Sequence, residues 1–131
     1  MSETAMFVTQ SQFFTTAFNA AIFDGPFRIY FAQYQEAHAL KIYFGLQNLM
    51  RTNLQDEVQK LKGDKKCVFI MLYPTEETFL TSFPVNMSAG ACASPQICSE
   101  KLGEDFVIGV QGHLAGSGIE KLHTQICELL N

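Results

Sequence analysis

Two adjoining runs of alternating apolar and polar residues, between Phe27 and Gln47, constrain the fold of this chain most strongly. Every second residue is apolar in both runs: Phe27, Ile29 and Phe31 in the first, and Leu40, Ile42, Phe44 and Leu46 in the second. A period of two is typical of half-buried strands, so the two runs predict a β-hairpin. Residues that pair across antiparallel strands share a face, which requires a loop with an even number of residues, and residues 35–38 supply four. The predicted register pairs Phe31 with Ile42, Ile29 with Phe44, and Tyr30 with Tyr43.

The other elements follow from the spacing of apolar residues and from the residue types that begin or end helices. Helices are predicted over residues 10–23, 48–62 and 94–102, a final helix opens with a capping box at Ser117–Glu120, and strands cover residues 67–73 and 105–111. Residues 75–83 fit either a short helix or a strand, and the acidic residues after Pro74 favour the helix. The order α-β-β-α-β-(α or β)-α-β-α predicts an α+β or mixed α/β fold, in which helices pack on a central sheet of four to five strands.

Length and charge limit the class of protein. At 131 residues the chain is expected to form a single domain, residues 1–131, in which residues 1–8 are poorly ordered. A formal net charge of −4 argues against binding to nucleic acid, whose protein partners concentrate Lys and Arg. Residues 4–23 carry no charge, but Glu3 and the polar residues among them argue against a signal peptide and against a membrane span. The expected compartment is the cytoplasm.

The four cysteines are expected to be reduced thiols in that compartment, and secretion with disulfide bonds is the alternative. Cys92 and Cys98 are farther apart than zinc-binding pairs usually are, so no metal and no other cofactor is predicted. A thiol-dependent function of either residue is a further hypothesis, because Cys98 would lie near a helix N-terminus that lowers its pKa.

No spacing of carboxylates or of a nucleophile and a base indicates catalysis. No catalytic residue is therefore assigned, and the sequence favours a protein that is not an enzyme without deciding the question. His38, in the predicted hairpin loop, is interpreted as a solvated turn residue.

A glycine-rich turn, Gly112 to Gly118, is the sharpest chemical candidate. It joins a predicted strand to the N-terminus of the predicted final helix, where unbonded N–H groups and the helix dipole attract anions. The residues expected to contact an anion or a small ligand are Gly112, His113, Gly116, Ser117 and Gly118. The alternative is a tight turn whose glycines only supply positive φ angles.

Two surfaces that lack charge indicate a protein contact instead. The predicted first helix presents uncharged polar residues opposite its Phe stripe: Gln12, Thr15, Thr16 and Asn19. The outer face of the predicted hairpin carries one arginine and three tyrosines: Arg28, Tyr30, Tyr34 and Tyr43. Interface cores are depleted in charge, and Tyr and Arg are common at contact hot spots. The alternative is that other elements of the same chain cover both surfaces.

Two functional hypotheses follow from these features. The leading one is a non-enzymatic cytoplasmic interaction or regulatory module, as used in signalling, that forms a homodimer or binds another protein through its uncharged surfaces. The second is a domain that binds a small ligand or an anion at residues 112–118, with or without enzymatic activity. Neither hypothesis involves nucleic acid or a membrane.

Overall fold

The computed structural model describes residues 13–82, 92–94 and 96–130. Residues 1–8, which are predicted to be poorly ordered, and Gln12 of the predicted interface lie outside these described residues.

Ten helices and strands follow one another along the described chain. They are β1 (Ala20–Asp24), β2 (Phe27–Phe31), α1 (Glu36–Arg51), α2 (Gln55–Asp64), β3 (Val68–Tyr73), α3 (Glu76–Ser82), β4 (Cys92–Ser94), β5 (Ile97–Leu102), β6 (Asp105–Gln111) and α4 (Gly116–Leu130). A single 3₁₀ turn, Gln33–Gln35, connects β2 to α1.

All six strands belong to one mixed sheet, in the order β1-β2-β3-β6-β5-β4. The three central strands β2, β3 and β6 are parallel, and the outer strands pair antiparallel with their neighbours. Every residue of β3 is buried, as its uninterrupted apolar sequence predicts for a central strand covered on both faces.

Helices cover both faces of the sheet. On one face α1, α2, α4 and the link between α1 and α2 contribute the buried apolar residues Ala39, Ile42, Leu46, Leu54, Val58, Leu61, Leu122 and Ile126. The other face packs against α3 and against residues 13–18, and the hydroxyl of Tyr73 donates a hydrogen bond to the carbonyl of Phe13. The predicted mixed α+β fold class is confirmed, and the order of elements agrees with the prediction roughly.

The second strand of the predicted hairpin is wrong. Residues 36–51 form α1, and β2 pairs with β1 and β3 instead. Ile42 and Leu46 have 0% exposure at helical spacing, whereas Phe44, which the hairpin would bury, is 59% exposed. Ile42 and Leu46 therefore belong, with Ala39, to the buried stripe of an amphipathic helix.

The predicted first helix is also wrong over the residues that the structure describes. A strand occupies Ala20–Asp24, and residues 13–19 are irregular. Gly25 and Pro26, which follow the predicted helix, form a two-residue hairpin turn in which Gly25 has a φ of +57°. The hairpin that contains β2 is thus β1–β2, one strand earlier than predicted.

Two further assignments change. The predicted helix over residues 94–102 is wrong, because β4 and β5 pair there and Gly103, at a φ of +66°, begins the two-residue turn to β6. The predicted helix over residues 48–62 is divided, since α1 ends at Arg51 and α2 begins at Gln55. The predictions of β3, β6, the helix at residues 76–82 and the final helix are confirmed.

A close contact between α1 and α4 fixes both helices over the sheet. Gly45 faces the imidazole of His123, because a Cβ at position 45 would lie 2.1 Å from the His123 Cε1. The Nε2 of His123 lies 3.3 Å from the carbonyl oxygen of Ile42. Burial lowers the pKa of His123, so the neutral ring donates its Nε2 proton to that carbonyl.

Substituting Gly45 should separate the two helices. We expect Gly45→Ala to lower the free energy of unfolding by about 1–3 kcal/mol, since the added methyl group overlaps the His123 ring. Gly63→Ala is the matched control, because a Cβ in α2 at that position meets no atom within 4 Å. It should raise the free energy of unfolding by up to about 1 kcal/mol through helix propensity. Urea unfolding measures both values, and a Gly45→Ala protein as stable as the wild type would contradict the contact.

Candidate functional site at the edge of the parallel strands

The carboxyl ends of the three parallel strands meet at one edge of the sheet. β2 ends at Phe31, β3 at Tyr73 and β6 at Gln111, and each is followed by the start of a helix. Ligands of open sheets with parallel strands commonly bind at this edge, because helix N-termini converge there. The predicted glycine-rich turn lies here, between β6 and α4.

The turn is anchored to the sheet and to the core. Gly112 has a φ of +64°, a conformation that glycine adopts without strain. Its N–H donates a hydrogen bond of 2.9 Å to the carbonyl of Tyr73, at the end of β3. Leu114 is 1% exposed, and it packs so closely on Gly118 that a Cβ there would lie 3.2 Å from the Leu114 Cβ. These contacts hold the turn in one position.

Helix α4 begins with unbonded backbone donors. Its first hydrogen bond joins the N–H of Ile119 to the carbonyl of Ala115 at 2.9 Å. The preceding N–H groups, those of Gly116, Ser117 and Gly118, make no hydrogen bond with any residue that the structure describes. Ala115 occupies the N-cap position and has no side-chain acceptor, so the predicted capping box at Ser117 is wrong. The positive end of the helix dipole adds to the attraction of these donors for an anion.

His38, in the first turn of α1, contacts this turn from the interior. Its exposed fraction is 4%, and its Nε2 accepts a hydrogen bond of 3.0 Å from the N–H of Leu114. A neutral imidazole carries one N–H, so the proton must be on Nδ1. That nitrogen is buried and has no hydrogen-bond partner among the described residues. The interpretation of His38 as a solvated turn residue is therefore wrong.

Burial keeps the His38 ring uncharged. Burial, followed by the smaller effects of His113 and Lys41, lowers the pKa of His38 to about 4. The exposed His113 covers one side of it, with the two ring centroids 4.3 Å apart and the ring planes tilted by 35°. At neutral pH His38 is thus a hydrogen-bond acceptor at Nε2 and a donor at Nδ1.

Sequence reasoning located residues 112–118 and missed His38. The usable signal was the helical spacing of Ala39, Ile42 and Leu46, which places His38 in the first turn of a helix. Because that helix follows β2, its N-terminus reaches the same sheet edge as the turn before α4.

The structure does not bring the predicted interface residues onto one surface. Tyr30 is 7% exposed and packs among the rings of Phe14 and Phe18, so for this residue the alternative, coverage by its own chain, is correct. Tyr43 lies on α1, over the other face of the sheet, and its hydroxyl donates a hydrogen bond of 2.8 Å to Asp24.

The remaining residues of that predicted interface are dispersed. The guanidinium of Arg28 lies 4.9 Å from the centroid of the Phe23 ring. Asn19 accepts a hydrogen bond of 2.8 Å from the N–H of Gln33, which supports the turn before α1. Thr15 is half-buried, Thr16 is exposed and Tyr34 is 78% exposed. A role for these residues in an interface stays a prediction.

The cysteines do not form the predicted set of reduced thiols. Cys98 is disulfide-bonded, and the backbones of Cys92 and Cys98 are paired directly opposite each other in β4 and β5. The pairing of strands, where a helix was predicted, accounts for this difference. Cys67 and Cys127 are free, and burial raises the pKa of both thiols. A bonded Cys98 lacks the thiolate that the thiol-dependent hypothesis requires.

Residues 13–82, 92–94 and 96–130 contain no group of three or more His, Cys, Asp or Glu side chains placed to hold a metal ion. Within the same residues, none of the helices combines the length and the apolar character that crossing a membrane requires. Comparisons of the chain with protein-family models, with curated proteins and with solved structures give no significant match.

Lowering the pH should destabilise the protein through His38. As the pH falls, the unfolded chain, with an ordinary His pKa of 6.5, takes up a proton before the folded protein, in which the pKa is about 4. The stabilisation is fully present above pH 6.5 and decreases as the pH falls towards 4. Between pH 7.5 and pH 5 the expected loss is about 2 kcal/mol.

Urea unfolding of the wild type and of His38→Gln at these two pH values measures this loss. The amide oxygen of Gln can accept the hydrogen bond from the N–H of Leu114 but does not titrate, so the variant should lose less stability at pH 5. His123, whose pKa burial also lowers, contributes equally to both proteins. Equal losses in the two proteins would contradict a buried, neutral His38.

Proposed function

We propose that this protein binds a small anionic ligand, a carboxylate or a phosphate, at residues 112–118. The observation that carries the proposal is the buried His38 ring, which bonds Leu114 through one nitrogen and leaves the other, protonated nitrogen without an acceptor among the described residues. A buried donor without a partner costs about 1–3 kcal/mol. Because Nδ1 has almost no accessible surface, an oxygen atom of a ligand would recover this cost only after a shift of the side chains that cover it.

The backbone donors at the start of α4 support the same ligand chemistry. Leu114, whose N–H bonds to His38, lies two residues before Gly116. The N–H groups of Gly116, Ser117 and Gly118 are unbonded within the described chain. Both the imidazole N–H and the backbone N–H groups require an oxygen acceptor, and a negatively charged one makes the stronger hydrogen bonds. The two sets of donors therefore favour one kind of ligand.

The charge of the site limits the size of the anion. Residues 111–119 contain no Lys or Arg, and Lys41 is the cationic side chain whose charge affects His38. The helix dipole supplies about half an elementary charge, which suits a carboxylate or a single phosphate group. Polyphosphates are usually held by Lys, Arg or a metal ion, so a nucleoside triphosphate is a poor candidate.

The alternative interpretation, a turn shaped only by its glycines, explains two of them and leaves Gly116 unexplained. Gly112 needs its positive φ, and Gly118 makes room for Leu114. Gly116 has no positive φ, and a Cβ there would meet no atom within 4 Å. The approach to the helix N-terminus is therefore open at this position, and a methyl group there would not touch the protein.

The other function predicted from the sequence, a non-enzymatic regulatory or signalling module that self-associates in the cytoplasm, stays a prediction. Tyr30 and Tyr43, which were predicted for one of its two contact surfaces, pack over opposite faces of the sheet, so they do not support that surface. The disulfide bond of Cys98 favours an oxidising compartment rather than the cytoplasm.

Replacing Gly116 by proline tests the ligand site, because the change removes one donor and little else. Position 116 is the first residue of α4, where proline is well tolerated, and its N–H is unbonded within the described chain. We expect Gly116→Pro to fold and to bind acetate or inorganic phosphate about tenfold more weakly than Gly116→Ala, which keeps the N–H.

Titration of the backbone amide resonances with acetate and, separately, with inorganic phosphate measures these affinities and locates the binding site. The amides of Ser117 and Gly118 should shift most strongly in the Gly116→Ala protein. Equal affinity of the two variants, or the absence of saturable shifts at these amides with either anion, would contradict the proposal.

A further inference from the structure

No residue that the structure describes pairs with the outer edge of β1. β1 is an edge strand of the sheet, and its register with β2 is regular from Ala20 to Asp24. Natural proteins usually protect such edges with Lys, Pro or a bulge, because the free backbone groups of an edge strand can pair with another chain. The sequence Ala20-Ala21-Ile22-Phe23 contains no charge and no proline.

The hairpin geometry shows which backbone groups face outwards. The two-residue turn at Gly25 and Pro26 makes Asp24 and Phe27 a hydrogen-bonded pair, and hydrogen-bonded pairs alternate along an antiparallel ladder. Ile22 therefore bonds inwards to β2, while the N–H and C=O groups of Ala21 and Phe23 point to the free edge. Among the described residues these outward groups have no hydrogen-bond partner.

We propose that the edge of β1 pairs antiparallel with the edge of β1 in a second copy of this chain. A twofold axis at Ile22 places Ala21 of each copy opposite Phe23 of the other. In that register Ala21 and Phe23 of each copy both donate and accept hydrogen bonds. If one strand were shifted by a single residue, these outward-facing groups would no longer lie opposite each other. The two sheets then become one continuous sheet.

Side-chain size supports the same register. The ring of Phe23 is 52% exposed, and it contacts the β2 residues Arg28 and Tyr30. The register places the small, exposed Ala21 of the second copy on the other side of this ring, which leaves room for it. A large residue opposite a small one is self-complementary under a twofold axis.

Charge does not oppose pairing with a second copy along this edge, although the chain has a net charge of −4. The one ionisable residue of β1 is Asp24, whose carboxylate accepts the hydrogen bond of Tyr43. The register places Asp24 opposite Ala20 of the second copy, so the two carboxylates lie at opposite ends of the paired strands. No like charges meet along the paired edge.

The variant Ala21→Pro tests this proposal. The N–H of Ala21 points away from β2, so proline removes an intermolecular donor from each copy while keeping the bonds of β1 to β2. We expect its dimer dissociation constant to rise about tenfold or more, whereas the matched control Ala21→Ser, which keeps the N–H and stays small, should change it little. Sedimentation equilibrium over a concentration series measures the three constants.

Two further measurements keep the proposal testable if Ala21→Pro does not fold. Phe23→Lys should give a folded monomer, since it places a charge on each copy beside the pairing edge. In the wild type, amide hydrogen exchange at Ala21 and Phe23 should slow as the protein concentration rises. A wild type that is monomeric at every concentration, or a dimer that Ala21→Pro and Phe23→Lys leave unchanged, would overturn the proposal.

Discussion

The hydrogen bond from the N–H of Leu114 to the Nε2 of His38 determines the chemistry of the sheet edge. It joins the first turn of α1 to the turn before α4, across 76 residues of sequence. Because Nε2 must accept, the ring has to be neutral, and burial meets this condition by lowering the His38 pKa to about 4. The same bond leaves the single ring proton on Nδ1, where no described residue accepts it. The Nδ1–H donor, from which we infer a ligand, is thus a consequence of the hydrogen bond between Leu114 and His38.

Packing contacts away from the sheet edge fix the positions of His38 and Leu114. Gly45 allows α1 to approach the ring of His123 on α4, so the two helices that carry the site are fixed relative to each other. The bond from the N–H of Gly112 to the carbonyl of Tyr73 extends the β3–β6 pairing into the turn. Leu114 anchors the turn in the apolar core. The unbonded N–H groups of α4 are therefore held in place by the fold itself, which would reduce the entropy cost of binding the proposed ligand.

The sequence predicts those elements whose signals are local. The apolar run of β3 ends at Pro74, and acidic residues open the helix that follows, so both could be assigned from a few residues. Residues 36–51 could not be assigned in this way, because their apolar residues satisfy a period of two as well as helical spacing. The choice between a strand and a helix here depends on β1, which pairs with β2 and whose residues were predicted to be helical. The glycine-rich turn could be predicted because its residues are adjacent in sequence. His38 could not, because only the tertiary structure brings it to that turn.

The protonation state of the His38 ring is the most direct test of the site. Long-range proton–nitrogen correlation spectra of the nitrogen-15-labelled protein report which ring nitrogen carries the proton, and a pH titration gives the pKa. At neutral pH the proton should be on Nδ1, with Nε2 unprotonated, and the ring should titrate near pH 4. A proton on Nε2, or a pKa near 6.5, would contradict the hydrogen bond to Leu114 and remove the buried donor from which the ligand was inferred.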